Sequence, residues 1–144
     1  MSRPIRIAAT IAITLLGTDH VLAECLKYEP AVVAIDGILE NRVFPGPPNY
    51  ESVAAGDRAE EILLFELQNP VCVDGDPSSE LNSEAESDLH EVQVVPTDEL
   101  RETLLHFVGK RVTVAGTLFH AHTGHHRTPV LIWPSRIDGE AAVR

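Results

Sequence analysis

Residues 92–119 read VQVVPTDELRETLLHFVGKRVTVAGTLF and contain the strongest structural signals of the chain. The apolar run 92–95 predicts a short strand, and residues 98–108 predict a helix because their apolar residues recur at helical spacing. The apolar face of that helix consists of Leu100, Leu104 and Val108. Residues 111–119 alternate in polarity, which predicts another strand once Gly109 has ended the helix. The stretch therefore predicts a strand, a helix and a strand in succession.

The start of the helix carries its own signals. Pro96 cannot donate a hydrogen bond and ends the preceding strand. Thr97 offers a capping hydroxyl, and Asp98 and Glu99 place negative charge in the first turn, where the helix dipole favours it. We therefore expect the helix to begin at about Asp98.

Further strand signals lie on both sides of this stretch. Residues 32–39 and 61–67 alternate in the strand pattern, the second ending at Asn69-Pro70, and residues 129–133 are apolar. Residues 45–50, PGPPNY, predict a long, shaped loop because their prolines lack backbone donors. The order predicts a mainly β (α+β) fold: a small OB-like five-stranded barrel or a curled antiparallel sheet, with one helix between strands 3 and 4.

An acidic segment lies between the second and third predicted strands. Residues 74–91 carry seven acidic residues and no lysine or arginine. This composition predicts a solvated loop. The opening DGDPS resembles a calcium loop, but Ser79 stands where the turn needs glycine and Ala85 where a bidentate glutamate should close the site. A helix-loop-helix calcium site is therefore not expected.

The first 23 residues have the layout of a secretion signal. Arg3 and Arg6 precede an apolar run, and Val21-Leu22-Ala23 forms a small-residue cleavage site. We expect cleavage after Ala23, so that residues 1–23 are a signal peptide and residues 24–144 a single OB-like domain in the periplasm or outside the cell. Glu24 argues against lipidation of the nearby cysteine.

The chain has two cysteines, Cys25 and Cys72. Both remain after the predicted cleavage, and an oxidising compartment favours a disulfide between them. Closing a loop of about 48 residues would contribute on the order of 4 kcal/mol in the chain-entropy account. Two free thiols or a metal pair are the alternatives.

Charge restricts the kinds of partner. Removing residues 1–23 leaves 9 basic and 21 acidic residues, a net charge of −12. Such a surface repels phosphate backbones and anionic lipid, so nucleic acid and membrane surfaces are not expected partners. Residues 24–144 hold no stretch apolar enough to span a bilayer. Cationic ligands or a basic patch on another protein fit better.

Four histidines lie close together, at the end of the fourth predicted strand and in the loop that follows. They are His120, His122, His125 and His126. The turn at Thr123-Gly124 can bring their rings together, and neutral imidazoles bind zinc, copper or nickel. The acidic segment could add a carboxylate. These four residues are therefore candidate metal ligands, although no metal or other cofactor is certain.

Two other interpretations of this loop remain open. The rings can form hydrogen bonds across a tight turn and brace the end of the sheet. Alternatively, the loop can bind a small molecule or protein, with Arg127 and the hydroxyls of Thr123 and Thr128 adding polar contacts. Our first hypothesis is an exported binding domain with this loop in its recognition surface, and metal binding is the second.

Catalysis has less support. Thr123 and Thr128 lie in no known nucleophile turn, so we expect no catalytic residues. A metal-dependent hydrolase that needs His122 and His125 is the third hypothesis. We place Trp133 in the core or at the sheet rim, because no basic groove accompanies it.

The segment 109–131 reads GKRVTVAGTLFHAHTGHHRTPVL and resembles the bacterial family filed as domain of unknown function 4431. The resemblance extends to Gly37-Ile38-Leu39, residues 45–52 and Asn69-Pro70-Val71-Cys72-Val73. It implies a small exported protein and brings no assigned activity, ligand or catalytic residue. A weaker resemblance to periplasmic OB-type proteins implies binding more readily than catalysis.

Overall fold

A computed structural model of the protein describes residues 23–139. The described chain is mainly β, with one α-helix. Its elements are β1 (Leu26–Lys27), β2 (Val32–Pro45), β3 (Ala59–Asp74), β4 (Glu86–Val94), α1 (Asp98–Leu105), β5 (Arg111–His120) and β6 (Val130–Gly139), with a 3-10 helix over Val53–Ala55. The predicted fold class is confirmed.

The six strands form one sheet in the order β1-β3-β2-β5-β6-β4, and β4 also pairs with β3. The sheet therefore closes partly into a ring formed by β2 to β6. Most neighbours are antiparallel, whereas β4 and β6 run parallel over the pairs Gln93–Leu131 and Val94–Ile132. The helix precedes the fourth strand of the ring, which confirms the predicted order of five strands and one helix.

The inward faces of the strands form one hydrophobic core. Alternating positions are buried over part of β2 and β5, as in Ile35 and Leu39 of β2 and Val112 and Val114 of β5. Leu104 of α1 is fully buried in the same cluster, so the helix packs against this core. This core fixes β5 and β6, the two strands that are connected by residues 121–129.

Two strands continue through prolines, one of which was expected to end its strand. β3 passes through Asn69-Pro70 and ends at Asp74, so the predicted end at Asn69-Pro70 is wrong. The register with β4 shifts between Glu66 and Val71, and this irregularity accommodates a proline, which cannot donate to the ladder. β6 likewise continues through Pro134, opposite a register shift between Ala115 and Gly116. A Cβ at Gly116 would collide with the carbonyl oxygen of Trp133, so the residue must be glycine there.

Two boundaries in the middle of the chain also differ from prediction. β4 begins at Glu86, so the last part of the acidic segment is strand and only the part before it is loop. The helix ends at Leu105, and residues 106–109 form a turn that leaves Val108 exposed. Thr97 is the residue before the helix, but its hydroxyl makes no capping hydrogen bond.

The predicted disulfide between Cys25 and Cys72 is confirmed. It lies beside the short parallel pairing of β1 with the end of β3. After β1, Tyr28 forms a bridge to Leu118 of β5 and is buried. The disulfide therefore holds the start of the described chain against two strands of the sheet.

The predicted leader, residues 1–23, lies outside the described residues except for Ala23. Between residues 23 and 139, no helix has the length and apolar character needed to cross a bilayer.

Candidate functional site

The loop that connects β5 to β6, residues 121–129, contains His122, His125 and His126 and follows His120; we call it the histidine loop and these four residues the loop histidines. Its two ends are joined by a hydrogen bond from the Ala121 N–H to the carbonyl of Pro129, at 2.9 Å. A second bond, from the His126 N–H to the carbonyl of Thr123, forms the turn within it. The Thr123 hydroxyl accepts from the His125 N–H at 3.3 Å, so this exposed threonine shapes the turn.

Gln93, a buried residue of β4, fastens the loop to the sheet. Its side-chain oxygen accepts a hydrogen bond from the Arg127 N–H at 2.6 Å, and its side-chain nitrogen donates to the His125 carbonyl at 3.2 Å. The buried Thr128 hydroxyl accepts from the Gln93 N–H at 2.9 Å and donates to the Val130 carbonyl at 2.6 Å. The loop backbone is thus fixed by a satisfied, buried polar network.

His125 turns away from the other loop histidines toward the start of β3. Its Nδ1 lies 2.9 Å from a carboxylate oxygen of Glu60, and its Nε2 lies 3.4 Å from the Tyr50 hydroxyl. Burial opposes ionisation of Glu60, but hydrogen bonds from His125 and Arg127 hold the pKa of its carboxyl below the ordinary value. His125 therefore ties the histidine loop to the loop after β2.

Arg127 joins the same two loops. Its guanidinium donates to the Pro45 carbonyl at 2.7 Å and to Glu60 at 3.2 Å. It also lies over the rings of Phe44 and Tyr50, at 5.3 and 5.5 Å from their centroids. With its charge paired and its plane covered, Arg127 acts as a bracing residue between the loops.

The loop after β2 is itself held in shape by the buried Asp57. The carboxylate of Asp57 accepts hydrogen bonds from the backbone N–H groups of Asn49, Glu51 and Ser52. These bonds hold the pKa of Asp57 below its ordinary value. Tyr50, which faces His125, is therefore carried by a fixed turn.

An aromatic surface lies on the other side of the histidine loop. It consists of Phe119, Trp133, His122 and His126. Phe119 and Trp133 are stacked with centroids 5.0 Å apart, and both histidine rings pack against Phe119. Phe119 is buried, whereas Trp133 remains 45 % exposed. Trp133 therefore lies on the outer face of the sheet, supported by a second aromatic ring.

His122 and His126 form a pair within this surface. Their ring centroids are 4.7 Å apart, and Nδ1 of His126 accepts a hydrogen bond from the His122 N–H at 2.9 Å. Nδ1 of His126 therefore carries a lone pair, and the ring is neutral when this bond is made. Burial and, secondarily, the neighbouring charges of His122 and His125 lower the pKa of His126.

We expect acid to loosen this surface through His126. Folding lowers the pKa of His126, so the unfolded chain binds a proton at this histidine more readily than the folded protein does. The stability that His126 contributes is therefore present above the ordinary pKa of 6.5 and is lost as the pH falls below that value. Protonation also removes the acceptor for the His122 N–H. Trp133 is the single tryptophan of the chain, so its fluorescence should change with a midpoint below pH 6.5. His126→Gln should abolish that transition and His90→Gln should not, and the same transition in both variants would contradict this assignment.

His120, the last residue of β5, lies in a third environment. Its Nε2 is 2.9 Å from Oε1 of Glu86 and 3.8 Å from Oε2 of Glu84, while its Nδ1 is 3.1 Å from the Ala121 carbonyl oxygen. Its ring also meets the ring of Tyr28 edge-on. Burial, followed by the charges of Glu86 and Glu84, raises the pKa of Tyr28 to about 12.

The four candidate metal ligands therefore do not converge on one point. His120 faces Glu84 and Glu86, His125 faces Glu60, and His122 pairs with His126. Among the described residues, the group of possible ligand atoms within 4.8 Å of one another that includes a loop histidine is Glu84, Glu86 and His120. The two other histidines between residues 23 and 139 lie elsewhere: His90 is exposed beside Asp88, and His106 bonds to the Glu102 carbonyl just after the helix.

Sequence reasoning did not single out several residues that shape this region. They are Tyr28, Tyr50, Glu60, Asn82, Glu84, Glu86 and Gln93. Gln93 left a usable signal, because it is a lone polar residue within the apolar run 92–95. The contacts of the others cross long stretches of chain, such as the 65 residues between Glu60 and His125, and no local pattern reports them.

A groove of about 370 Å³ runs beside the loop. The loop contributes Arg127, Thr128 and Pro129, and β4 contributes the acidic residues Glu86, Asp88 and Glu91. The loop therefore contributes to an acidic groove as well as to the aromatic surface.

Comparison with known protein families finds a match in this part of the chain. Residues 91–134 match the family described as "Domain of unknown function (DUF4431)", which confirms the predicted resemblance over residues 109–131, whereas the segments before residue 91 lie outside the match. The match runs from the end of β4 through α1, β5 and the histidine loop into β6. No curated protein matches the chain.

Proposed function

We propose that the protein is an exported binding domain whose recognition surface combines the segment His120 to Thr128 with the aromatic surface next to it. This proposal depends on the exposure of Trp133. The side chain is 45 % exposed although it is stacked on the buried Phe119. A large aromatic side chain left in water but held in one orientation loses little entropy when a ligand covers it.

Charge supports a neutral or cationic ligand. The predicted mature chain has a net charge of −12, and the groove beside the loop is lined by Glu86, Asp88 and Glu91. A ligand with a flat face and positive charge could cover Trp133 and be attracted by these carboxylates. Anionic ligands would meet repulsion from the same groups.

Export is part of the proposal. The basic start, apolar run and small-residue site in residues 1–23 predict cleavage after Ala23. The Cys25–Cys72 disulfide agrees with maturation in an oxidising compartment, either the periplasm or the outside of the cell.

Nuclear magnetic resonance titration with cationic probes would test the binding surface. Suitable probes are a glucosamine oligosaccharide, a polyamine and a lysine-rich peptide, each added to the isotope-labelled protein. We expect at least one cationic probe to shift the indole resonance of Trp133 and the backbone amides of residues 120–128. Trp133→Ala should weaken that probe's affinity by about 30-fold, the effect of losing a central aromatic anchor of ~2 kcal/mol.

Val43→Ala is the matched control, because Val43 is an exposed apolar residue of β2. It should leave the affinity unchanged. Shifts confined to other faces of the sheet, or equal affinity for the wild type and Trp133→Ala, would count against the proposed recognition surface.

A further inference from the structure

We infer that Glu84, Glu86 and His120 form a binding site for a divalent transition-metal ion, with zinc as the fitting example. This site keeps one of the four loop histidines and takes its other ligands from the acidic segment and the start of β4. It does not depend on the recognition surface proposed above.

The ligand atoms already have suitable spacing. Nε2 of His120, a carboxylate oxygen of Glu84 and a carboxylate oxygen of Glu86 lie within 4.8 Å of one another. Zinc bound tetrahedrally at about 2.0–2.2 Å from each ligand requires ligand atoms roughly 3.3 Å apart. The carboxylate oxygens of Glu86 and Glu84 now lie 2.9 Å and 3.8 Å from Nε2. Small side-chain movements would bring them to the spacing that zinc requires.

The orientation of the His120 ring presents the correct nitrogen. Nδ1 lies 3.1 Å from the Ala121 carbonyl oxygen, which can only accept, so Nδ1 carries the hydrogen. Nε2 faces both carboxylates, which also only accept, so a metal bound there would take the place of the Nε2 hydrogen that now bonds to Glu86. A histidine that binds a metal through one nitrogen and donates to a backbone carbonyl through the other is the usual arrangement in metal sites.

The buried hydroxyl of Tyr28 is a second indication that a ligand binds beside His120. The residue is 3 % exposed, and its hydroxyl is buried without a hydrogen-bond partner among the described residues. Its ring packs edge-on against His120, with Glu86 and Glu84 as its charged neighbours. A buried hydroxyl without a partner is costly. The charges of Glu86 and Glu84 act on this hydroxyl, so a metal bound between them would bring a polar group near it.

The ligands are held by ordered parts of the fold. The buried Asn82 accepts a hydrogen bond from the His120 N–H at 2.9 Å, and its own N–H donates to the hydroxyl of Ser79. Glu86 is the first residue of β4 and pairs with Val73 of β3. The acidic segment is thus fastened to the end of β5 next to the ligands, which lowers the cost of ordering them.

The donor set selects the class of metal. One imidazole nitrogen with carboxylate oxygens suits zinc and related first-row divalent ions, whereas calcium and magnesium prefer oxygen ligands alone. The absence of a thiolate from the set disfavours soft ions such as copper(I).

Isothermal titration calorimetry of the untagged, disulfide-bonded protein with zinc chloride would test the site. We expect one zinc ion per chain and much weaker heats with calcium or magnesium. Glu86→Gln and His120→Gln should each weaken zinc binding by at least about 10-fold. Nitrogen-15 spectra of the imidazole groups should show the Nε2 resonance of His120 shifting with zinc.

Two matched variants make the result specific. Glu80→Gln removes an exposed acid of the same segment, and His90→Gln removes a histidine that lies 3.3 Å from an aspartate. Both should keep the wild-type affinity, as should Trp133→Ala, which tests the recognition surface separately. Circular dichroism of every variant confirms folding. Absence of zinc binding in the wild type, or binding that survives both Glu86→Gln and His120→Gln, would overturn the inference and leave an ordinary ion pair.

Discussion

Replacing Cys25 and Cys72 together by serine should lower the free energy of unfolding by about 4 kcal/mol. The bond links residues 47 positions apart, so its loss frees a large loop in the unfolded chain. Single domains of this size are stable by only about 5–15 kcal/mol, so the variant should unfold at a much lower urea concentration. Equilibrium urea denaturation followed by circular dichroism measures the difference.

The consequence should also be local. The disulfide holds β1 against β3 and thereby keeps Tyr28 packed beside His120. Amide hydrogen exchange in residues 26–31 should therefore accelerate more than exchange in β5. Adding a reductant to the wild type should reproduce the loss, and adding it to the double variant should change nothing. A loss below about 1 kcal/mol would show that folded contacts alone fix the N-terminal segment.

The order of the elements could be read from the sequence because their polarity patterns are local. The alternation over residues 111–119 predicted a strand, and in β5 the alternating residues Val112, Val114 and Leu118 are buried. The ends of strands were harder to predict. Pro70 and Pro134 lie within strands because register shifts in the neighbouring pairings accommodate them, and such irregularities depend on both strands.

The histidine loop shows a second limit of sequence reasoning. Four histidines within seven residues suggested one shared site, since proximity in sequence favours proximity in space. The rings instead contact three separate places: Glu60 at the start of β3, Glu86 of β4, and Phe119 of β5, which is stacked on Trp133 of β6. A glutamate 34 residues from its histidine leaves no local pattern. The sequence analysis allowed the acidic segment to add a carboxylate to the histidines, and Glu86 of that segment lies 2.9 Å from His120.

Replacing Gln93 by leucine should be nearly as damaging as losing the disulfide. Leucine has a similar size but offers neither an acceptor to the Arg127 N–H nor a donor to the His125 carbonyl. A buried polar group without a partner costs about 1–3 kcal/mol, so we expect a loss of roughly 3 kcal/mol in the free energy of unfolding. Urea denaturation measures it. The loop should also lose protection from amide exchange at Arg127.

Gln68→Leu is the matched control, because Gln68 lies on β3 and its side chain is exposed. The same substitution there removes no buried partner and should change stability by less than about 0.5 kcal/mol. Comparing the two variants separates the effect of replacing any glutamine by leucine from the effect of removing the buried contacts of Gln93. Equal stability of Gln93→Leu and Gln68→Leu would mean that the loop backbone forms hydrogen bonds to other groups when Gln93 is lost. Gln93 would then not be the residue that fixes the loop between the aromatic surface and the acidic groove.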